Sequence, residues 1–354
     1  MEIYMSLASR LETDEPAASG LGFLDPTKPV LEIEFDLTLQ KVEVANIKIS
    51  GRSRKGAGGR SHKELQDQGP IIFVKLQQDL GALKSRKGDT GSVLWRSSYH
   101  LARNLLASHH HPPGAPLLPL LDLSKLRQAR ILELGAGTGL LAILLSPLCK
   151  EYTVSDRIEN LRLVERNLEL NGINPVSSAR KSEHLHPTTS AGKAGHMYPA
   201  SSASKAAKDR HERNRGESER KYQDGLVRLE EVDWTEVSRE RQRHRSRHDQ
   251  NNTGPYNPTS SEKDTYDLVL AVDCIYNENL VQPFVDTLAF YCPKGGRTVV
   301  WVVVELRSAD VLTLFLETWL ADSEGQWTIV RIFGEALGDW GSQKPRWVGW
   351  VGWR

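Results

Sequence analysis

The segment from Ile131 to Leu141 reads Ile-Leu-Glu-Leu-Gly-Ala-Gly-Thr-Gly-Leu-Leu and limits the possible folds more than any other stretch. Four residues typical of a buried strand lead into a glycine turn, and an apolar helical pattern begins directly after it. A strand, a glycine turn and a helix in this order bring a ligand against bare backbone at the carboxyl end of the strand. The sequence therefore predicts an α/β domain that binds a nucleotide-type ligand at this turn.

The composition of the turn narrows the class of ligand. A dinucleotide fingerprint reads G-x-G-x-x-G, whereas this chain has Leu140 at the position of the third glycine. Glu133 lies two residues before the first glycine, where a carboxylate would oppose a ligand phosphate. A ligand that carries an ammonium and a sulfonium group suits this turn better.

The run Leu132–Gly139 resembles the first motif of the class I methyltransferases that depend on S-adenosyl-L-methionine (SAM). This resemblance implies SAM as the cofactor. It also implies that the cofactor is contacted by Glu133, Gly135, Ala136 and Gly137.

Strand patterns alternate with helix patterns from residue 91 onward, and two closing strands follow each other without a helix between them. This order predicts an α/β fold with a doubly wound, mostly parallel sheet of seven strands, Rossmann-like and similar to that of class I methyltransferases. Alternating apolar and polar residues over Leu31–Val44 predict a β extension. We therefore expect an N-terminal β-hairpin extension over residues 1–90 and a methyltransferase domain over residues 91–354.

Two segments, 176–224 and 236–263, contain few large apolar residues and many charged ones. Ordering a residue costs about 1–2 kcal/mol, which such segments cannot offset by burial. Both are predicted to be disordered insertions. The alternating arginines from Arg239 to Arg247 leave open a nucleic-acid tether, although interspersed acidic residues weaken that interpretation.

Two residues after predicted strands fit the adenosine part of the cofactor. Asp156 ends the second strand of the domain, where a carboxylate accepts hydrogen bonds from ribose hydroxyls. The alternative role for Asp156 is to cap the next helix. Trp234 follows the third strand, where an indole face can cover the adenine ring, although a plain core tryptophan is the alternative.

The segment Asp-Cys-Ile-Tyr at 273–276 follows the fourth strand, where the methyl acceptor should approach. Adenine-N6 methyltransferases carry two prolines in place of Cys274 and Ile275, so a nucleic-acid base is disfavoured as the substrate. The Asp-x-x-Tyr pattern resembles methyltransferase family 16, the seven-strand protein lysine methyltransferases. The resemblance implies that Asp273 and Tyr276 are catalytic, and that Val272 contacts the cofactor. We expect Asp273 to orient the incoming lysine ammonium and Tyr276 to wall its channel; in the alternative, Asp273 caps the following helix.

Further segments agree with this family. Gly91–Trp95 resembles its N-terminal tryptophan motif, which implies that Trp95 lies against the cofactor. The segments Ala271–Glu278 and Trp347–Arg354 resemble fungal ribosomal lysine methyltransferases. This likeness implies a ribosomal protein as the substrate, namely L1 of the large subunit.

Composition limits other classes of function. The net charge of +1 gives no reason to expect a membrane partner or direct nucleic-acid binding, so contact with nucleic acid is expected only indirectly, through the ribosome. Three cysteines without CxxC spacing, and His109–His111 without a second ligand cluster, predict no metal site. The N-terminus shows no signal peptide and the most apolar run, Val299–Val304, is too short to span a bilayer. We expect a cytoplasmic monomer; an RNA methyltransferase and a non-catalytic SAM-binding scaffold are the alternatives.

Overall fold

The computed structural model describes residues 22–37, 70–85, 90–112, 121–177, 225–251, 265–322, 325–332 and 347–354. The strands in these ranges are β1 (Val30–Asp36), β2 (Ile71–Gln77), β3 (Arg130–Leu134), β4 (Glu151–Asp156), β5 (Val176–Ser177), β6 (Leu226–Glu231), β7 (Leu268–Val272), β8 (Val299–Glu305), β9 (Thr328–Ile332) and β10 (Trp347–Trp353). The α-helices are α1 (Leu80–Ser85), α2 (Arg96–His110), α3 (Leu123–Leu126), α4 (Leu140–Leu145), α5 (Ile158–Leu170), α6 (Trp234–Asn251), α7 (Glu278–Tyr291) and α8 (Ala309–Ala321). A short 3₁₀ helix over Ser146–Leu148 follows α4.

The main sheet has the strand order β5-β6-β4-β3-β7-β8-β10-β9. Strand β10 runs antiparallel to both of its neighbours, and the other strand pairs are parallel. This confirms the doubly wound, mostly parallel sheet. The two-residue strand β5 adds an eighth strand, at the edge, to the seven that were expected.

Helices cover both faces of this sheet, because its central strands are apolar on both sides. Ile131 belongs to a cluster with α2, α4, α5 and the N-terminal strands, whereas Leu132 and Leu134 belong to a second cluster with α7 and α8. Successive side chains of a strand point to opposite faces of the sheet, so β3 contributes residues to both hydrophobic clusters. The central strands are thereby fixed in place, and the site is built at their carboxyl ends.

The N-terminal extension is a separate two-stranded sheet in which β1 pairs antiparallel with β2. The buried positions alternate along β1, as the sequence pattern indicated, while residues 38–44 of the predicted strand lie outside the described residues. Asn167 of α5 and Asn171, the C-cap residue of this helix, hold β2 in place. Asn167 accepts from the backbone N–H of Gln77 at 2.7 Å, and Asn171 accepts from that of Lys75 at 3.0 Å. The extension is therefore tied to the helix that follows β4.

One prediction of disorder is wrong. Residues 236–251, assigned to the second insertion, belong to α6. The side chains that face α7 and the end of α8 recur at helical spacing: Trp234, Ser238, Arg241 and Arg245. Arg241, with 10% of its side chain exposed, pairs with Asp286 at 2.6 Å and with Asp322 at 3.2 Å. Ion pairs to distant carboxylates thus order a segment that carries few apolar residues.

The remaining predictions for the insertions concern other parts of the chain. Residues 178–224 and 252–263 lie outside the described residues, and Val176–Ser177 is the short strand β5. Among the helices that the structure describes, none is both long enough and apolar enough to cross a membrane.

Candidate functional site

A cavity of about 360 Å³ lies at the carboxyl ends of β3, β4 and β7. Its volume falls within the range of small-molecule sites, roughly 300–1,000 Å³. It brings together most of the residues that the sequence predicted for the site: Trp95, Gly135, Ala136, Gly137, Asp156, Trp234, Val272, Asp273 and Tyr276. One cavity therefore joins the expected cofactor side to the expected acceptor side.

The glycine turn gives this cavity its bare backbone wall. Gly135 has φ +66°, and a Cβ there would lie 3.0 Å from Cys274 Sγ and 3.3 Å from Trp234 Cζ2. Gly137 has φ +59°, and its Cβ would lie 3.2 Å from the carbonyl oxygen of Gly91. Both the left-handed backbone and the lack of space require glycine. The predicted order of strand, glycine turn and helix is confirmed, while the contact of these two glycines with a cofactor stays a prediction.

The carboxylate of Asp156 is buried beside the turn. Its Oδ2 accepts from the N–H of Gly137 at 2.8 Å, and its Oδ1 accepts from the N–H of Arg157 at 2.7 Å and from Asn160 Nδ2 at 2.9 Å. Burial raises the pKa of Asp156, and these hydrogen bonds oppose that rise. The N-cap residue of α5 is Arg157 and not Asp156, so Asp156 is not the capping residue of this helix. Oδ2 keeps a lone pair for a hydroxyl of the ligand.

Trp234 forms another wall at the start of α6. Its ring packs against Phe284 with centroids 5.0 Å apart, and its outer edge lies beside Gly135. Trp234 packs on the second core and also lines the cavity, so its core role is confirmed and its contact with adenine stays a prediction. The neighbouring Asp233 accepts from the N–H of Thr235 at 2.8 Å, which turns the chain into α6.

Trp95 and Tyr276 form two further parts of the cavity wall. The indole Nε1 of Trp95 donates to the carbonyl oxygen of Thr90 at 2.7 Å, and the ring of Phe23 lies 4.5 Å from the Trp95 ring. Tyr276 is 38% exposed at the cavity. Burial raises the pKa of Tyr276, so its phenol is protonated at neutral pH and can donate a hydrogen bond.

Asp273 follows β7 with φ +61°, and its carboxylate is fully engaged. Oδ1 accepts from the N–H of Glu305 at 3.2 Å and from Arg307 Nη1 at 2.9 Å. Oδ2 accepts from Ser97 Oγ at 2.9 Å and from Arg307 Nη2. These donors engage both oxygens of Asp273, while its expected role in orienting a lysine ammonium stays a prediction. The helix-cap alternative is wrong, because Asn277 caps α7.

Glu133 is the predicted site residue that does not line the cavity. It lies within β3, is 3% exposed and accepts from the hydroxyl of Tyr152 at 2.9 Å. Burial raises its pKa to about 8, so the group is mostly protonated at pH 7. Glu133 is therefore not part of the cavity wall against which the cofactor was expected. Glu133 alternates with Leu132 and Leu134 along β3, so its side chain lies on the same face of the sheet as Ile131. Because the carboxyl group is mostly protonated, its charge does not select the ligand.

The roles of several residues of the site were not found from the sequence. Gly91 lies close to the glycine turn, Asn160 orients Asp156, and Arg307 holds Asp273. Gly91 belongs to the recognised tryptophan motif and Asn160 lies four residues after Asp156, whereas Arg307 belongs to none of the sequence motifs. Within the described part of the chain, no three His, Cys, Asp or Glu side chains are grouped as a metal site.

The fold and the cavity define an α/β domain that binds a small ligand at the carboxyl ends of its strands. Residues 75–188 and 253–318, slightly more than half of the chain, match the family described as lysine methyltransferase. The chain belongs to this family.

A further relative and two solved structures resemble the chain. It is 36% identical over 245 residues to a Schizosaccharomyces pombe protein named diaminohydroxyphosphoribosylamino-pyrimidine deaminase, and the match covers 69% of this chain but 41% of the relative. A methyltransferase from Pyrococcus furiosus is similar with 15% identity and a TM-score of 0.31, over 68% of this chain and 85% of that one. The N-methyltransferase NodS from Bradyrhizobium japonicum is similar with 12% identity and a TM-score of 0.30, over 65% and 88%. At these TM-scores the structural likeness is weak.

Proposed function

We propose that this protein is a SAM-dependent protein-lysine N-methyltransferase that acts on a ribosomal protein. The observation that carries the proposal is the single cavity that joins the glycine turn to the segment Asp273–Tyr276. Membership of the lysine methyltransferase family supports the same reaction.

The residues present fit SAM. A Cβ at Gly135 or Gly137 would crowd the neighbouring protein atoms of the cavity wall, so glycine keeps the backbone bare for a cofactor there. The free lone pair of Asp156 Oδ2 suits a ribose hydroxyl, and the ring of Trp234 suits an adenine face. When bound, SAM supplies a methyl group on a positively charged sulfur for transfer to a nucleophile.

The protein's part in this reaction is to position the acceptor. At pH 7 a lysine with a pKa of about 10.4 costs roughly 4.6 kcal/mol to deprotonate. Contact geometry between reacting groups can supply about 7–11 kcal/mol, which outweighs that cost. Neither Asp273, whose oxygens are engaged, nor Tyr276, which is protonated, is a free base. We therefore infer that the site takes up lysine in its neutral form and orients it.

The likeness of the 271–278 and 347–354 segments to the fungal ribosomal lysine N-methyltransferase 5 favours protein L1 of the large subunit as the substrate. That substrate fits a cytoplasmic monomer that meets nucleic acid only through the ribosome. An RNA methyltransferase is less well supported, because Arg241 and Arg245 of α6 are engaged with Asp286 and Asp322.

The proposal is tested by transfer of a tritiated methyl group from SAM into an extract of cells that lack this protein. We expect a labelled band that protease removes and ribonuclease does not. The Asp156→Ala variant is the control, since it should lose the label together with SAM binding. Label removed by ribonuclease would favour the RNA methyltransferase, and no label with the wild type would favour the scaffold.

A further inference from the structure

Arg307 follows β8 and contacts several residues at the edge of the cavity, although it belongs to none of the sequence motifs. Its Nη1 donates to Asp273 Oδ1 at 2.9 Å, and its Nη2 donates to Asp273 Oδ2 and to Glu305 Oε2 at 2.6 Å. Its Cζ also lies 4.2 Å from the centre of the Trp95 ring. Arg307 itself does not line the cavity, whereas Trp95 and Asp273 both do. It therefore acts on the site through these two residues.

The two residues that Arg307 joins belong to different elements. Trp95 precedes α2, and Asp273 is the first residue after β7. Asp273 has φ +61°, which a residue other than glycine keeps only when its surroundings hold it there. The hydroxyl of Ser97, in the first turn of α2, donates to Asp273 as well, at 2.9 Å. Arg307 and Ser97 together fix the distance between the two walls.

We propose that Arg307 is a positioning residue that fixes Trp95, on the cofactor side of the cavity, relative to Asp273, on its acceptor side. Its guanidinium holds Asp273 by two parallel hydrogen bonds and holds the Trp95 indole by stacking. The acceptor part of this inference rests on the proposed methyltransferase function.

Arginine is required here rather than lysine. A planar guanidinium can bind a carboxylate with two hydrogen bonds and at the same time lie over an aromatic ring. A lysine ammonium keeps the charge but has neither the fork nor the flat face. The side chain of Arg307 is 22% exposed and that of Asp273 is 2% exposed, so water screens this pair weakly.

The experiment compares Arg307→Met and Arg307→Lys with Arg228→Met. Arg228 is a matched control, because its Nε pairs with Glu151 Oε1 at 2.9 Å at the amino ends of the strands, away from the cavity. For each variant we measure the melting temperature and, by calorimetry, the affinity for SAM. We also measure kcat and KM with the protein substrate that the wild type methylates. Hydrogen–deuterium exchange of residues 90–95 and 273–276 reports on the two walls without any ligand.

We expect Arg307→Met to lower kcat at saturating substrates by about tenfold to a hundredfold, since small misplacements near a reacting centre have effects of this size. SAM affinity should fall severalfold, because the Trp95 ring is no longer held in place. Hydrogen–deuterium exchange should rise in residues 90–95 and 273–276. Arg307→Lys should recover only part of each loss. Arg228→Met should change the melting temperature without changing kcat, SAM affinity or exchange at the walls.

The inference is overturned if Arg307→Met, assayed well below its melting temperature, keeps the kcat, SAM affinity and wall exchange of the wild type. It is also overturned if Arg307→Lys restores all of these fully. If the wild type methylates no protein, the proposed function fails, but the exchange of the two walls still decides the role of Arg307.

Discussion

Replacing Gly135 by alanine, compared with the same change at Gly172, should separate two reasons for glycine in the turn: the left-handed backbone and the lack of space for a side chain. Gly135 has φ +66° and little space for a side chain, whereas Gly172 at the end of α5 has φ +78° and nothing within 4 Å of an added Cβ. Each alanine takes up a left-handed backbone, which costs roughly 1–2 kcal/mol. Only at residue 135 does the new methyl group also lie 3.0 Å from Cys274 Sγ and 3.3 Å from Trp234.

The crowding should add about 1–3 kcal/mol to the loss of stability at residue 135, as overpacking of a well-filled site does. Trp234 lines the cavity, so any shift of its ring changes the SAM site directly. We expect Gly135→Ala to weaken SAM binding by at least about tenfold, which corresponds to roughly 1.4 kcal/mol. Gly172→Ala should lose only the backbone part of the stability and keep its SAM affinity.

Urea unfolding measures the free energy of unfolding of both variants, and isothermal titration calorimetry measures their SAM affinity. The reasoning is refuted if Gly135→Ala binds SAM as the wild type does. It is refuted equally if Gly172→Ala loses as much SAM affinity as Gly135→Ala, since backbone strain alone would then explain the effect.

Three other substitutions test separate parts of the structure. Asp156→Asn should weaken SAM binding by about tenfold or more in calorimetry, because a hydrogen bond to a charged group contributes roughly 1.5–3 kcal/mol; unchanged binding would contradict the ribose contact. Glu133 has a pKa raised from 4.5 to about 8, so its stabilising effect is full below pH 4.5 and is lost as the pH rises through 8. The stability of the wild type relative to Glu133→Gln should therefore fall by up to about 1.4 kcal/mol per pH unit between these limits in urea titrations, with SAM affinity at pH 7 little changed; a difference independent of pH would be inconsistent with a protonated Glu133. Arg241→Met should cost about 3–5 kcal/mol in unfolding free energy, because it leaves the buried carboxylate of Asp286 without its cation, while the exposed Arg239→Met should cost little; equal effects would show that the α6 ion pairs do not order the helix.

The glycine turn and Asp156 were predictable because their signals are local. A strand, a turn and a helix follow one another in the sequence, and Asp156 is separated from Gly137 by only 19 residues. The alternation of strands and helices predicted the parallel sheet for the same reason, since each element carries its own pattern.

The errors concern properties that depend on distant residues. The charge of Glu133 was taken from its type, but burial in β3 protonates it. The order of α6 depends on carboxylates 45 and 81 residues beyond Arg241, which apolar content alone does not reveal. The carboxylate of Asp273 was expected to be free, but Arg307 binds it from 34 residues away.

The central claim is that this site transfers a methyl group from SAM to a lysine of a ribosomal protein. The most direct measurement is mass spectrometry of purified large-subunit proteins from cells that lack this protein, before and after incubation with SAM and the wild type. We predict one or more newly methylated lysines in L1, at residues that are methylated in cells that contain the protein. Methylation confined to ribosomal RNA, or no new methyl group on any protein, would contradict the claim.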